Sequence, residues 1–64
     1  MVIESWRHLM AVLNTMDEPA LVGAINMEVS LYRRKMVITR LHSRYNMLRK
    51  KREVEALING EMLL

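Results

Sequence analysis

Residues that break helices are scarce in this chain, and their scarcity constrains the fold more than any other feature does. The 64 residues include one proline, Pro19, and two glycines, Gly23 and Gly60. From residue 20 to residue 59 the only helix-breaking residue is Gly23, near the start. Leu, Met, Arg, Lys and Glu, which favour helices, are abundant in this stretch. The sequence therefore predicts an all-α fold with few elements.

A first amphipathic helix is predicted over residues 2–14. Apolar side chains recur in this stretch at spacings of three and four residues, which places them on one face of a helix. Seven methionines and no phenylalanine in the whole chain give its apolar surfaces an adaptable character. The apolar positions of the first face are Ile3, Trp6, Leu9, Met10, Leu13 and Met16.

A turn is predicted over residues 15–19, within the stretch NTMDEP. Two capping arrangements fit these letters. Thr15 can cap with Glu18 in the capping-box position, or Asp17 or Glu18 can cap with Pro19 in the first turn. Each arrangement ends one helix and starts the next.

A second, long helix of about 40 residues is predicted over residues 20–59, with Gly60 as its C-terminal stop. At 1.5 Å per residue it would extend ~60 Å. We expect the short first helix to fold back on it as a helical hairpin, in a single domain over residues 1–64. The apolar tail, residues 61–64, would fold onto the end of the bundle or insert into a partner.

The long helix is apolar on two roughly opposite sides, and one short helix can cover only one of them. We therefore expect self-association, as a four-helix bundle or a coiled-coil-like assembly. Arg34 and Arg52 fall at the edges of the apolar side, where a long side chain can reach water. The residues expected in the core or the association surface are Trp6, Leu9, Leu13, Ile25, Leu31, Tyr32, Ile38, Leu41, Tyr45 and Leu48.

Positive charge is concentrated in one third of the chain. Nine of the ten Lys and Arg residues lie between residues 33 and 52, a stretch without an acidic side chain. On a continuous helix Arg33, Arg40, Arg44 and Lys51 form a straight stripe of ~27 Å. Arg49 and Lys50 spread further charge around the far end of the same helix.

Three functions fit this basic block. The leading expectation is a small regulatory or accessory factor that binds nucleic acid, with the stripe along the phosphates. The alternatives are a protein-interaction factor, such as a small virus- or plasmid-type inhibitor or assembly subunit, that docks on an acidic partner, and a structural coiled-coil module. The partners expected are thus a second copy, nucleic acid or an acidic protein surface.

Catalysis is not expected, because the sequence has no cysteine, no glycine-rich phosphate loop and no Ser–His–Asp set. His8 and His42 each lack a second histidine one turn away, so neither a metal site nor a cofactor is expected. No secretory signal or membrane span is apparent, which predicts a cytoplasmic protein.

Overall fold

The computed structural model describes residues 2–64, and its regular elements over that range are all helical. The all-α class is therefore confirmed. Helix α1 spans Trp6–Val12 and continues into a 3₁₀ turn at Leu13–Thr15. Helix α2 spans Glu18–Met27 and continues into a π-helical turn at Glu28–Tyr32. Helix α3 spans Lys35–Ile58.

The starts of the first two helices are fixed by side-chain caps. The Ser5 hydroxyl accepts a hydrogen bond from the His8 N–H at 3.1 Å, so α1 begins at Trp6 and not at residue 2. The Asp17 carboxylate accepts from the Ala20 N–H at 2.9 Å, and Pro19 follows in the first turn of α2. Of the two capping arrangements, the Asp17 one therefore forms.

The continuous second helix predicted over residues 20–59 is wrong in one respect, because it is divided at Arg33 and Arg34. Arg33 adopts the left-handed conformation, with φ 52° and ψ 35°, and Arg34 is extended. The N–H of Arg33 donates to the Glu28 carbonyl at 2.6 Å and closes the π-helical turn. The chain then restarts as α3 in a new direction, which lets α2 and α3 pack against each other.

An ion pair between Glu28 and Arg34 gives the physical reason for the division. The Arg34 side chain donates to the two Glu28 carboxylate oxygens at 2.8 and 2.7 Å, and its backbone N–H donates to the same carboxylate at 3.0 Å. In a continuous α-helix, residues six apart point about 120° away from each other and cannot make these contacts. The break is what brings the two side chains together.

The same guanidinium also holds the N-terminal segment. It donates to the carbonyl of Ile3 and, at 3.5 Å, to the carbonyl of Glu4. Hydrogen bonds from the Arg34 side chain hold the pKa of Glu28 below its usual 4.5, and Glu28 raises the pKa of Arg34. Arg34 therefore joins three parts of the chain and is not the edge of an apolar seam.

The core lies where α1, α2 and the first half of α3 meet. Helix α3 alone is about 36 Å long at 1.5 Å per residue, against a longest molecular dimension of 40 Å, so its C-terminal third extends past the core. Arg52 ties this part to the start of α2 through Glu18, at 2.9 and 3.2 Å. The buried apolar side chains are Ile3, Leu9, Leu13, Met16, Leu21, Ala24, Val37 and Leu41.

The residues expected in the core divide into three groups. Leu9, Leu13 and Leu41 are buried, and a further four are half-buried: Ile25, Ile38, Tyr45 and Leu48.

Three others are exposed, so they lie outside the core of the single chain, and their place in an association surface stays a prediction. Leu31 and Tyr32 are 58% and 53% exposed, because the break at Arg33 leaves them on the outside of the joint. The Arg34 guanidinium lies over the Tyr32 ring, with its central carbon 4.9 Å from the ring centroid. Trp6 lies in the first turn of α1 and is 47% exposed. Over residues 2–64 we find no helix with the length and apolar content that crossing a bilayer requires.

Candidate functional site

Helix α3 carries most of the positive charge as one uninterrupted block. From Lys35 to Arg52 the helix includes seven cations and no acidic side chain. Arg33 stands in the joint before the helix, with its Nε donating to the Val29 carbonyl at 3.2 Å. The four-residue stripe expected from the sequence therefore loses its first member.

The other three members keep their alignment on α3. Arg40, Arg44 and Lys51 fall within about 40° of one another around the helix and span about 16 Å along it. They lie on the flank of α3 that faces α1 and the turn before α2. The structure thus places this row beside another helix rather than on the most exposed face of α3.

A groove runs between α1 and α3 and has these cations along it; we call it the α1/α3 groove. One end is an open cavity of ≈ 470 Å³ with three large apolar side chains, Trp6, Met10 and Met36. Arg40 and Ser43 line this cavity and also the next one along the groove, so the two cavities are adjacent.

Farther along, the α1/α3 groove becomes more polar. Arg44 and Met47 line its middle, and the Arg44 Nη1 approaches the Met47 sulfur at 4.0 Å. The Nε of Arg44 is shielded from solvent and has no hydrogen-bond acceptor among residues 2–64. The groove therefore combines apolar walls with one exposed arginine, Arg40, and one arginine that retains a free donor.

The opposite flank of α3 carries a second set of polar and basic side chains. Lys35, His42 and Arg49 fall within about 40° of one another there. Arg49 stacks near the Tyr45 ring at 5.8 Å and lies 3.9 Å from the Glu53 carboxylate. His42 lies 3.4 Å from the Asn46 amide, a contact between their side-chain nitrogens.

A polar strip separates the two flanks and points away from the buried Leu41. It consists of Thr39, Ser43, Asn46 and Lys50, which lie within about 60° of one another around α3. All but Asn46 are exposed, and Asn46 is half-buried. Helix α3 therefore presents hydrogen-bonding side chains between two rows that contain cations.

Most cations of α3 have no carboxylate partner among residues 2–64. Within the described residues, only Arg49 and Arg52 among them lie within 4.0 Å of a carboxylate. Glu18 raises the pKa of Arg52 through hydrogen bonds to its side chain. The α3 cations without a carboxylate partner over residues 2–64 are Lys35, Arg40, Arg44, Lys50 and Lys51.

In the part of the chain that the structure describes, no three His, Asp or Glu side chains converge in a way that could hold a metal ion. His8 accepts a hydrogen bond at Nδ1 from the Glu4 N–H at 3.1 Å, so it helps to hold the segment before α1. Comparisons of the chain with models of known families, with curated proteins and with solved structures found no match.

Sequence reasoning missed two features of this site. Met10 and Met36 were not expected to form a surface with Trp6, because the break at Arg33 determines where Met36 lies. Glu28 was not expected to be buried, although it is the only acidic residue between residues 19 and 52. A lone carboxylate between two apolar sides of a helix is a signal that could have indicated an internal ion pair.

Proposed function

We propose that the protein binds double-stranded nucleic acid through α3, as a small non-catalytic regulatory or accessory factor. The observation that carries this proposal is the stretch of α3 from residue 35 to residue 52, which contains no acidic residue. Five of its cations have no carboxylate partner within residues 2–64. The exposed side of a helix with this composition attracts phosphates.

The arrangement around α3 favours DNA over RNA as the partner. The major groove of B-DNA admits an α-helix, whereas that of double-stranded RNA is too deep and narrow for side chains to read. Thr39, Ser43 and Asn46 of the polar strip would face the base edges. Lys50, at the C-terminal end of the strip, and the flanking cations Lys51 and Lys35 would reach the phosphates on either side.

A titration of a labelled DNA duplex, followed by fluorescence anisotropy, tests this function. Lys50 lies at the C-terminal end of the polar strip, where it would reach a phosphate, so Lys50→Ala removes one phosphate contact. At 0.1 M salt, one contact contributes roughly eightfold in affinity through counterion release, which is the loss we expect. Arg7→Ala is the matched control, because Arg7 is an exposed cation on α1 and should leave binding unchanged.

Two results would overturn the proposal. One is the absence of binding at low salt. The other is equal weakening by Lys50→Ala and Arg7→Ala, because binding would then follow net charge rather than the surface of α3.

A second function is favoured by the α1/α3 groove. The apolar cavity formed by Trp6, Met10 and Met36 makes no favourable contact with a phosphate. An acidic amphipathic protein segment would contact both that cavity and Arg40. Docking on an acidic protein partner therefore remains the alternative, and Met36→Glu separates the two functions. It should abolish protein docking and change DNA affinity only by the charge it adds.

A further inference from the structure

We propose that the α1/α3 groove receives the C-terminal segment, residues 53–64, of a second copy of this chain. The proposal stands on a different surface from the polar strip that would face DNA. It concerns two apolar surfaces of one molecule that carry opposite charge and that the monomer leaves uncovered.

The first surface is the groove itself. Its walls include Trp6, Met10 and Met36, of which Met36 is 69% exposed. Arg40 lines the same cavity, and Arg44 beside it has a shielded Nε without an acceptor over residues 2–64. A ligand that satisfies this groove must be apolar and must bring acceptors, which a carboxylate supplies.

The second surface is the part of α3 that extends past the core, together with the residues after it. This segment contains three glutamates, Glu53, Glu55 and Glu61, and no cation, so its side chains carry a net charge of −3. Apart from the half-buried Met62, its large apolar side chains are exposed, and Ile58 is 78% exposed. The exposed apolar side chains of the segment are Val54, Leu57, Ile58, Leu63 and Leu64.

The two surfaces cannot meet within one molecule. Met36 and Ile58 lie on the same helix, 22 residues apart, which separates them by about 33 Å. The six residues after Ile58 span at most about 22 Å when fully extended. The segment can therefore occupy the apolar end of the groove only on another copy.

A reciprocal contact closes the assembly. If each copy gives its segment and receives that of the other, a two-fold axis relates them and the two α3 helices must run antiparallel. Both apolar surfaces of both copies are then covered, which removes apolar surface of a kind that soluble monomers rarely expose. The arginines of each groove meet the glutamates of the partner segment, which fixes the direction of the docked segment.

Charge-reversed variants test this docking by sedimentation. The groove variant is Arg40→Glu/Arg44→Glu, and the tail variant is Glu53→Lys/Glu55→Lys/Glu61→Lys. Each variant alone should be a monomer, because its groove or its tail repels the matching surface of an identical copy. An equimolar mixture should restore the dimer, because an acidic groove then meets a basic tail and an unchanged groove meets an unchanged tail.

The control and the readouts make each outcome decisive. Arg7→Glu/Lys35→Glu changes the same number of cations outside the groove and should remain dimeric. Trp6 fluorescence should shift to the blue as the wild-type chain dimerises, because docking covers the indole. A monomeric wild-type chain at millimolar concentration, or variants whose mixture stays monomeric, would overturn the proposal. Persistence of the dimer in both charge-reversed variants would also overturn it.

Discussion

Removing Arg34 from its contact with Glu28 should destabilise this fold strongly, because it leaves a buried carboxylate unpaired. Glu28 is 1% exposed, and its carboxylate accepts three hydrogen bonds from Arg34. Arg34→Met keeps most of the aliphatic part of the side chain and removes the charge. The carboxylate would then be buried without a counter-charge, which costs about 3–5 kcal/mol.

That cost is large for a chain of this size. A 64-residue domain is stable by roughly 3–10 kcal/mol. At about 4–8 °C per kcal/mol, Arg34→Met should melt roughly 12–40 °C below the wild type. Thermal and urea unfolding followed by far-ultraviolet circular dichroism measures the loss.

A second substitution separates the buried charge from lost packing. Glu28→Gln in the Arg34→Met background removes the uncompensated charge and keeps an acceptor for the backbone N–H of residue 34, so it should recover more than half of the lost melting temperature. Arg52→Met is the control, because its pair with Glu18 lies at the surface and should contribute little. The reasoning fails if Arg34→Met melts within about 4 °C of the wild type, or if the double variant is no more stable than the single one.

Three further predictions concern the fold. Arg33→Gly should stabilise the protein by up to about 1 kcal/mol, because glycine relieves the left-handed conformation; in a continuous helix it would destabilise by about the same amount, so the sign found by urea unfolding decides between the two. Leu41→Ala should cost about 2–5 kcal/mol and Leu31→Ala less than about 0.5 kcal/mol, since the first is buried and the second exposed; equal costs in thermal melts would contradict the packing. Because the pKa of Glu28 is lower in the folded state, its ionised carboxylate stabilises the fold fully above about pH 4.5, and this stabilisation is lost as the pH falls through the folded-state pKa. In acid titrations the free energy of unfolding should therefore fall less steeply for Glu28→Gln than for the wild type, and identical profiles would refute this.

The sequence could predict the local features of this fold because short-range chemistry determines them. The scarcity of helix breakers gives the all-α class. Asp17 is one of the caps that the sequence allowed, and the left-handed stop at Gly60, with φ 71°, follows from a residue type that favours this conformation.

The break at Arg33 could not be predicted in the same way. No glycine or proline marks it, and an arginine in the left-handed conformation is unfavourable by itself. What stabilises it is a contact of Arg34 with Glu28 and with the carbonyl of Ile3, which is 31 residues away. Helical periodicity does not report a tertiary contact of this kind.

The same limit explains what changed in the candidate site. Arg40, Arg44 and Lys51 keep their alignment because they share one helix, whereas Arg33 leaves the row because the break comes between them. That this row borders a groove with Trp6 depends on how α1 packs on α3, which the spacing of residues within a helix does not determine.

The salt dependence of binding to a DNA duplex tests the central functional proposal most directly. With Lys35, Lys50 and Lys51 on phosphates, the logarithm of the association constant should fall with the logarithm of salt concentration at a slope of about −2.7. Lys35→Ala/Lys50→Ala should reduce that slope to about −0.9. A slope near zero, or one that the double substitution leaves unchanged, would contradict a role for α3 in contacting phosphates.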